Sequence, residues 1–139
     1  MIRESDAAYM AGLFDGEGSI DFTKRKEKKR SGTYNCRRVS MEISMTDQSV
    51  IRWVHEVLGV GTVVKKPRKG LRKNGTKYLM QWRWRCTFRD AYYVCRVMWP
   101  YAHTKLPKIQ QVIDHYSQEK LIEGNVVSLN EYRKAMSLE

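Results

Sequence analysis

Two carboxylates, Asp15 and Glu17, close a run that is otherwise small or apolar: Ala8, Met10, Ala11, Gly12, Leu13, Phe14. Ala8, Ala11, Gly12 and Asp15 recur at i, i+3, i+4 and i+7, the period of one helix face. Nothing larger than a methyl group precedes Asp15 on that face, so a second helix can approach closely. Two such helices side by side deliver two carboxylates to one place. Carboxylate, carbonyl and water oxygens are the donors that hard divalent ions such as Mg2+ prefer, which gives Glu17 a possible chemistry. Taken by itself, Glu17 reads better as a plain surface acid after the Gly16-Glu17-Gly18 turn.

The elements that must position these residues are legible as periodicities. Ser5 or Asp6 is a candidate cap for the first helix, and the Gly16-Glu17-Gly18 run is expected to break it. Ser19 to Lys26 alternates, with Ile20 and Phe22 inward. After a charged loop through Gly32, Val39, Met41, Ile43 and Met45 alternate with Arg38, Ser40, Glu42 and Ser44. Thr46 or Asp47 caps a helix on Val50, Trp53, Val54, Val57 and Leu58, closed by Gly59. A second hairpin joins Gly61–Lys66 to Tyr78–Phe88, where Met80, Trp82, Trp84, Cys86 and Phe88 face inward. Asp90 to Trp99 is helical, Pro107 opens a longer helix on Ile109, Val112, Ile113, Tyr116 and Leu121, and Ser128 with Glu131 forms a capping box for a last one.

The resulting order, α-β-β-α-β-β-α with a helical tail, is an α+β domain spanning residues 1–139: one four-stranded, curved antiparallel sheet backed by helices, with its polar face bare. That face is predicted to carry Asp21, Thr23, Arg25, Arg38, Ser40, Glu42, Ser44, Thr62, Val64, Lys66, Gln81, Arg83 and Arg85. Such a surface can lie along duplex DNA, with side chains reaching base edges and loop lysines reaching phosphates; a merely solvated face is the alternative.

Composition points the same way. Lys and Arg number 26 against 15 acids, a net charge of +11, and a surplus of that size favours a polyanionic partner. The cations cluster in residues 24–38 and 65–89. Cys36, Cys86 and Cys95 are odd in number and lack a CxxC pair, which argues against a disulfide framework or a zinc knuckle. His55, His103 and His115 have no metal-binding spacing. With no leader-like start and no bilayer-length apolar run, the expectation is an intracellular protein without a membrane partner, in an organelle or a bacterial cytoplasm.

Met10-Ala11-Gly12-Leu13-Phe14-Asp15-Gly16-Glu17-Gly18, extended by Ser19, resembles the LAGLIDADG motif of homing endonucleases. Met10 and Phe14 stand for the usual Leu and Ile, and Glu17 stands where Asp is commoner. The resemblance implies a site-specific endonuclease that hydrolyses double-stranded DNA across the minor groove with Mg2+, Mn2+ or Ca2+ substituting for binding. It makes Glu17 and the Gly16 carbonyl metal ligands, and Asp15 a cap on a partner helix. By position it adds Asp47 near metal and water, and Lys105 near the cleaved phosphate. Asp47 as a helix cap and Lys105 as a solvated loop lysine are the competing assignments. A basic residue usual one turn into the second helix is missing: Ile51 stands there, beside Arg52. No second copy of the motif follows, so the partner helix must come from another chain. A homodimer with Ala8, Ala11, Gly12 and Asp15 at its interface would suit a long pseudo-palindromic site. The alternative is an RNA maturase, with intron RNA as partner, or a non-cleaving DNA-binding relic of the same fold.

Overall fold

Residues that alternate at a period of two build two hairpins, which merge into one sheet. In the computed structural model, which describes residues 2–122, α1 (Glu4–Glu17) leads into β1 (Gly18–Lys29) and β2 (Gly32–Met45). Then come α2 (Gln48–Leu58), β3 (Thr62–Lys66), β4 (Gln81–Thr87), α3 (Phe88–Met98) and α4 (Leu106–Ile122). The strands form one antiparallel sheet in the order β1-β2-β4-β3. The Ser128–Glu131 capping box lies outside the described residues, as do the side chains of Arg25 and Leu121.

The inward residues behave as their alternation requires. Val39, Met41, Ile43, Trp84 and Cys86 are buried with Met10, Ala11 and Phe14 of α1, Val54 of α2, Val94 and Met98 of α3, and Ile109, Val112 and Ile113 of α4. Buried indoles need partners for their N–H groups. Trp84 donates to the Val60 carbonyl at 3.0 Å, and Trp99 donates to Gln110 Oε1 at 2.8 Å. The Cys86 thiol is pushed up to about 12, chiefly by burial, and burial also raises Cys95; both are core groups.

Gly61 shows how tightly the second hairpin is built. Its φ is +89°, and a β-carbon there would lie 2.6 Å from Trp84 Nε1 and 2.7 Å from the Arg85 carbonyl oxygen. Gly61→Ala is therefore expected to cost about 3 kcal/mol, combining left-handed strain with overpacking against an immobile backbone oxygen. A chemical-denaturation midpoint measured beside wild type checks it.

Several local expectations are corrected. Neither Ser5 nor Asp6 caps α1; the cap position falls earlier, at Arg3, and Arg3 pairs with Asp6 at 3.2 Å. The Gly16-Glu17-Gly18 run does end the helix, but only at its last residue. The helix continues to Glu17 and stops at Gly18, where the Phe14 ring occupies the space a β-carbon would need. The charged segment after Lys26 is hairpin, not loop: β1 and β2 stay in register out to Lys29 opposite Gly32. A two-stranded ribbon wet on both sides accepts cations at either parity, which erases the alternation signal. β4 is shorter than expected, with Met80 outside it and exposed. Phe88 opens α3 instead of ending the strand, at φ +51° and 54% exposed, so it does not join the core.

Candidate functional site

Glu17 is the last residue of α1 and is exposed. Carbonyls in the final turn of a helix lack intrahelical partners, which leaves the neighbouring Gly16 oxygen as a second hard donor at the same point. The last turn of α1 carries two acids and no base, an arrangement opposed by the negative end of the helix dipole. A positive charge brought to this end would relieve it. Among the described residues no three His, Cys, Asp or Glu side chains gather into a cation site. One chain thus offers a partial donor set of the right chemistry, hard oxygens, which further oxygens from DNA, water or a second chain would have to complete.

Gly18, the residue after Glu17, faces Ile43 across the ladder, and Asp47 follows four residues beyond Ile43. Both acids therefore lie at the same end of the β1–β2 pair. Asp47 is the N-cap of α2: its Oδ1 accepts from the Ser49 N–H at 3.1 Å, the Ser49 hydroxyl at 2.6 Å and the Val50 N–H at 3.3 Å. The cap is thus realised, with all three bonds falling on Oδ1. The Ser49 hydroxyl, then the Val50 amide, lower its carboxyl pKa.

A lowered folded-state pKa adds stability that is fully present above the ordinary carboxylate range and lost as pH falls through the lowered value. Asp47→Ala is accordingly expected to melt below wild type at neutral pH, with the gap closing in strong acid. Thermal melts across that range test it.

Asp15 is half-buried and committed within its own chain: Oδ2 accepts from the His103 N–H and Oδ1 from the Lys105 N–H, each at 2.9 Å. The unpaired N–H groups that the motif resemblance assigned to a partner helix are supplied here by the segment before α4. This ties Lys105, half-buried, to the helix that ends in Glu17.

The outer face of α1 differs from the expected stripe. Ala11 is fully buried in the chain's own core, because it shares a side of the helix with Ala7 and Phe14; it cannot line an exposed interface. Ala8, Gly12 and Gly16 are exposed at four-residue spacing, and a β-carbon on Gly12 or Gly16 would meet nothing within 4 Å. Tyr9, 57% exposed, flanks them and meets Trp53 of α2 edge to face at 5.2 Å.

Strand register puts the predicted outward residues on one face. Asp21 pairs with Ser40, Thr23 with Arg38, and Arg25 with Cys36. Glu42 and Thr62 flank Arg85, Ser44 and Val64 flank Arg83, and Lys66 pairs with Gln81. Ser40 is only 8% exposed and offers little surface to a partner. Glu42 lies 4.0 Å from both Lys66 Nζ and Arg83 Nη1, contacts too loose to neutralise the face. Ser44 Oγ and Arg83 Nε are buried with no hydrogen-bond partner among the described residues. At the position of the missing cation, Ile51 is fully buried, so that helix face belongs to the core. No helix among the described residues is long and apolar enough to cross a membrane.

Sequence and structure comparisons agree with this fold. The family model described as LAGLIDADG endonuclease matches residues 10–87, more than half of the chain. No curated protein matches. Among solved structures, the homing endonuclease I-CvuI, in complex with the I-CreI target, is 20% identical over 80% of this chain, with a TM-score of 0.59. The chain spans 65% of that protein's length. The archaeal intron-encoded homing endonuclease I-Vdi141I, complexed with DNA, is 12% identical over 96% of this chain and 83% of its own, at 0.59. The LAGLIDADG homing endonuclease I-SmaMI, bound to cleaved DNA, is 16% identical over 95% of this chain and 42% of its own, at 0.60. At these identities the likeness is one of fold.

Proposed function

Because the chain belongs to the LAGLIDADG endonuclease family, we propose that it is a homing endonuclease that acts as a homodimer and hydrolyses both strands of a long, pseudo-palindromic DNA site. The observation that carries this reading is Glu17: an exposed acid at the dipole-opposed end of a helix whose free face is small enough for a second copy to pack against. Pairing two α1 helices through Ala8, Gly12 and Gly16 brings two Glu17 carboxylates and two Gly16 carbonyls together, the donors suited to Mg2+, with Mn2+ or Ca2+ as substitutes in binding. When bound, such ions polarise the phosphodiester and make water a stronger nucleophile.

The chain's own groups do the rest. Glu17, with the Gly16 carbonyl, would hold the ion at the shared site. Asp47, fixed by Ser49 and Val50, presents a rigid acceptor to the attacking water. Lys105 offsets charge on the cleaved phosphate. The cation-rich sheet face, with the unpartnered Ser44 and Arg83 atoms on its two inner strands, follows the groove, where Arg favours guanine and Glu42 can accept from cytosine. The mobile-element setting of the family, homing of an intron or intein, is the corresponding biological role.

Exposure of the full chain to a randomised duplex library with Mg2+ and separately with Ca2+, followed by sequencing of cut and bound molecules, tests this. One long near-palindrome cut in Mg2+ and bound uncut in Ca2+ is the expected result. Selective binding without cleavage in either ion would overturn it in favour of a maturase or a non-cleaving relic.

A further inference from the structure

We propose that Asp15 is a positioning residue for cleavage: its carboxylate fixes Lys105 against the helix that ends in Glu17, inside one chain. The inference rests on the endonuclease reading and reassigns Asp15 from the dimer interface to the site. Both carboxylate oxygens are used, one on the His103 N–H and one on the Lys105 N–H, across 88 and 90 residues of sequence. The Lys105 carbonyl accepts from the Ile109 N–H at 3.0 Å, so Lys105 is the residue from which α4 starts. On the other side, Ala102 is buried and its N–H bonds the Met98 carbonyl at the end of α3 at 2.9 Å.

The backbone of Lys105 is thereby pinned between three elements, and Asp15 is the link to α1. A negative charge at the start of α4 also suits that helix's dipole. Among the described residues no acid pairs with the Lys105 ammonium, which leaves it available to an anion from outside the chain, such as the cleaved phosphate. Asparagine cannot substitute for the carboxylate. It has one acceptor oxygen, and its amide would set a donor against one of the two N–H groups. Loss of either bond frees the segment to shift, and a displacement of about 1 Å at a reacting group costs up to about 100-fold in rate.

A double-mutant cycle tests this on the full-length protein with the duplex selected above. Single-turnover cleavage is measured for wild type, Asp15→Asn, Lys105→Ala and the double variant, with sedimentation for oligomeric state and amide hydrogen exchange at His103 and Lys105 without DNA. Asp15→Asn is expected to remain dimeric, bind duplex as wild type does, exchange both amides faster and cleave about 10- to 100-fold more slowly. Added to Lys105→Ala, it should cost nothing further. Additive losses, or an Asp15→Asn protein that becomes monomeric and recovers when two copies are tethered, would overturn the positioning role alone. Wild type that cuts no duplex overturns the endonuclease reading and this role with it. If Asp15→Asn does not fold, Asp15→Glu, which keeps charge and both acceptors but moves them by one methylene, goes through the same cycle with the same expected non-additivity.

Discussion

Glu17→Gln is expected to reduce cleavage of the selected duplex on the order of 1000-fold, the loss that follows when several kcal/mol of transition-state stabilisation disappear. Duplex binding and oligomeric state should be untouched, since glutamine has the same shape and the sheet face is unchanged. The fold should not suffer. Glu17 is exposed, and α1 carries no base in its last turn, so the negative charge opposes the helix dipole there. Removing that charge leaves the melting temperature equal to wild type or slightly above it. This combination separates a site acid from a structural one: a structural acid would lower stability when neutralised, and a surface acid would leave cleavage unchanged. Single-turnover cleavage in Mg2+, a binding titration in Ca2+ and a thermal melt on one preparation read all three. Cleavage at the wild-type rate would remove Glu17 from the site.

Much of this was legible because the signals were local. The alternation of Val39, Met41, Ile43 and Met45 against Arg38, Ser40, Glu42 and Ser44 survives in the register, since a buried face penalises every one-residue slip. Thr46 or Asp47 followed by an apolar helical pattern marked the start of α2, where Asp47 is the cap, and Gly59 marked its end with φ +69°. The small-residue motif exposed the unusual helix.

What escaped was long-range or compensated. The Gly16-Glu17-Gly18 run marked where α1 ends but not at which residue: Gly16 stays helical because one glycine costs only about 1 kcal/mol in a helix interior, less than the packing of Met10, Ala11 and Phe14 supplies. Phe88 adopts a positive φ because the chain turns from β4 directly into α3, and no sequence pattern encodes that junction. Spacing alone placed Ala11 beside Gly12 on an open face, whereas the core claims it. The bond from Asp15 to a segment 88 residues away has no local signature, although an acid in a baseless last helical turn is itself a cue that something elsewhere partners it.

Gly12→Leu is expected to leave the monomer folded and to abolish the dimer, and with it at least about 100-fold of cleavage. A β-carbon at Gly12 meets nothing within 4 Å in a single chain, and leucine is the better helix former by close to 1 kcal/mol, so α1 itself should be no less stable. The steric cost appears only where another backbone comes close. On the Ala8–Gly12–Gly16 face an isobutyl group would hold two α1 helices apart by several ångströms, and each Glu17 away from its counterpart. Sedimentation should therefore show a monomer with a native circular-dichroism spectrum, binding half of the selected duplex more weakly and cleaving at least about 100-fold more slowly. A Gly12→Leu protein that stays dimeric and cuts normally would move the interface to another face. Ala11→Leu makes the contrast. Ala11 is buried in the chain's own core, so overpacking there should lower the melting temperature of the chain itself, at a typical cost of about 1 to 3 kcal/mol. Two neighbouring positions on one helix, given the same side chain, thus fail in opposite ways: one loses its partner and the other part of its stability.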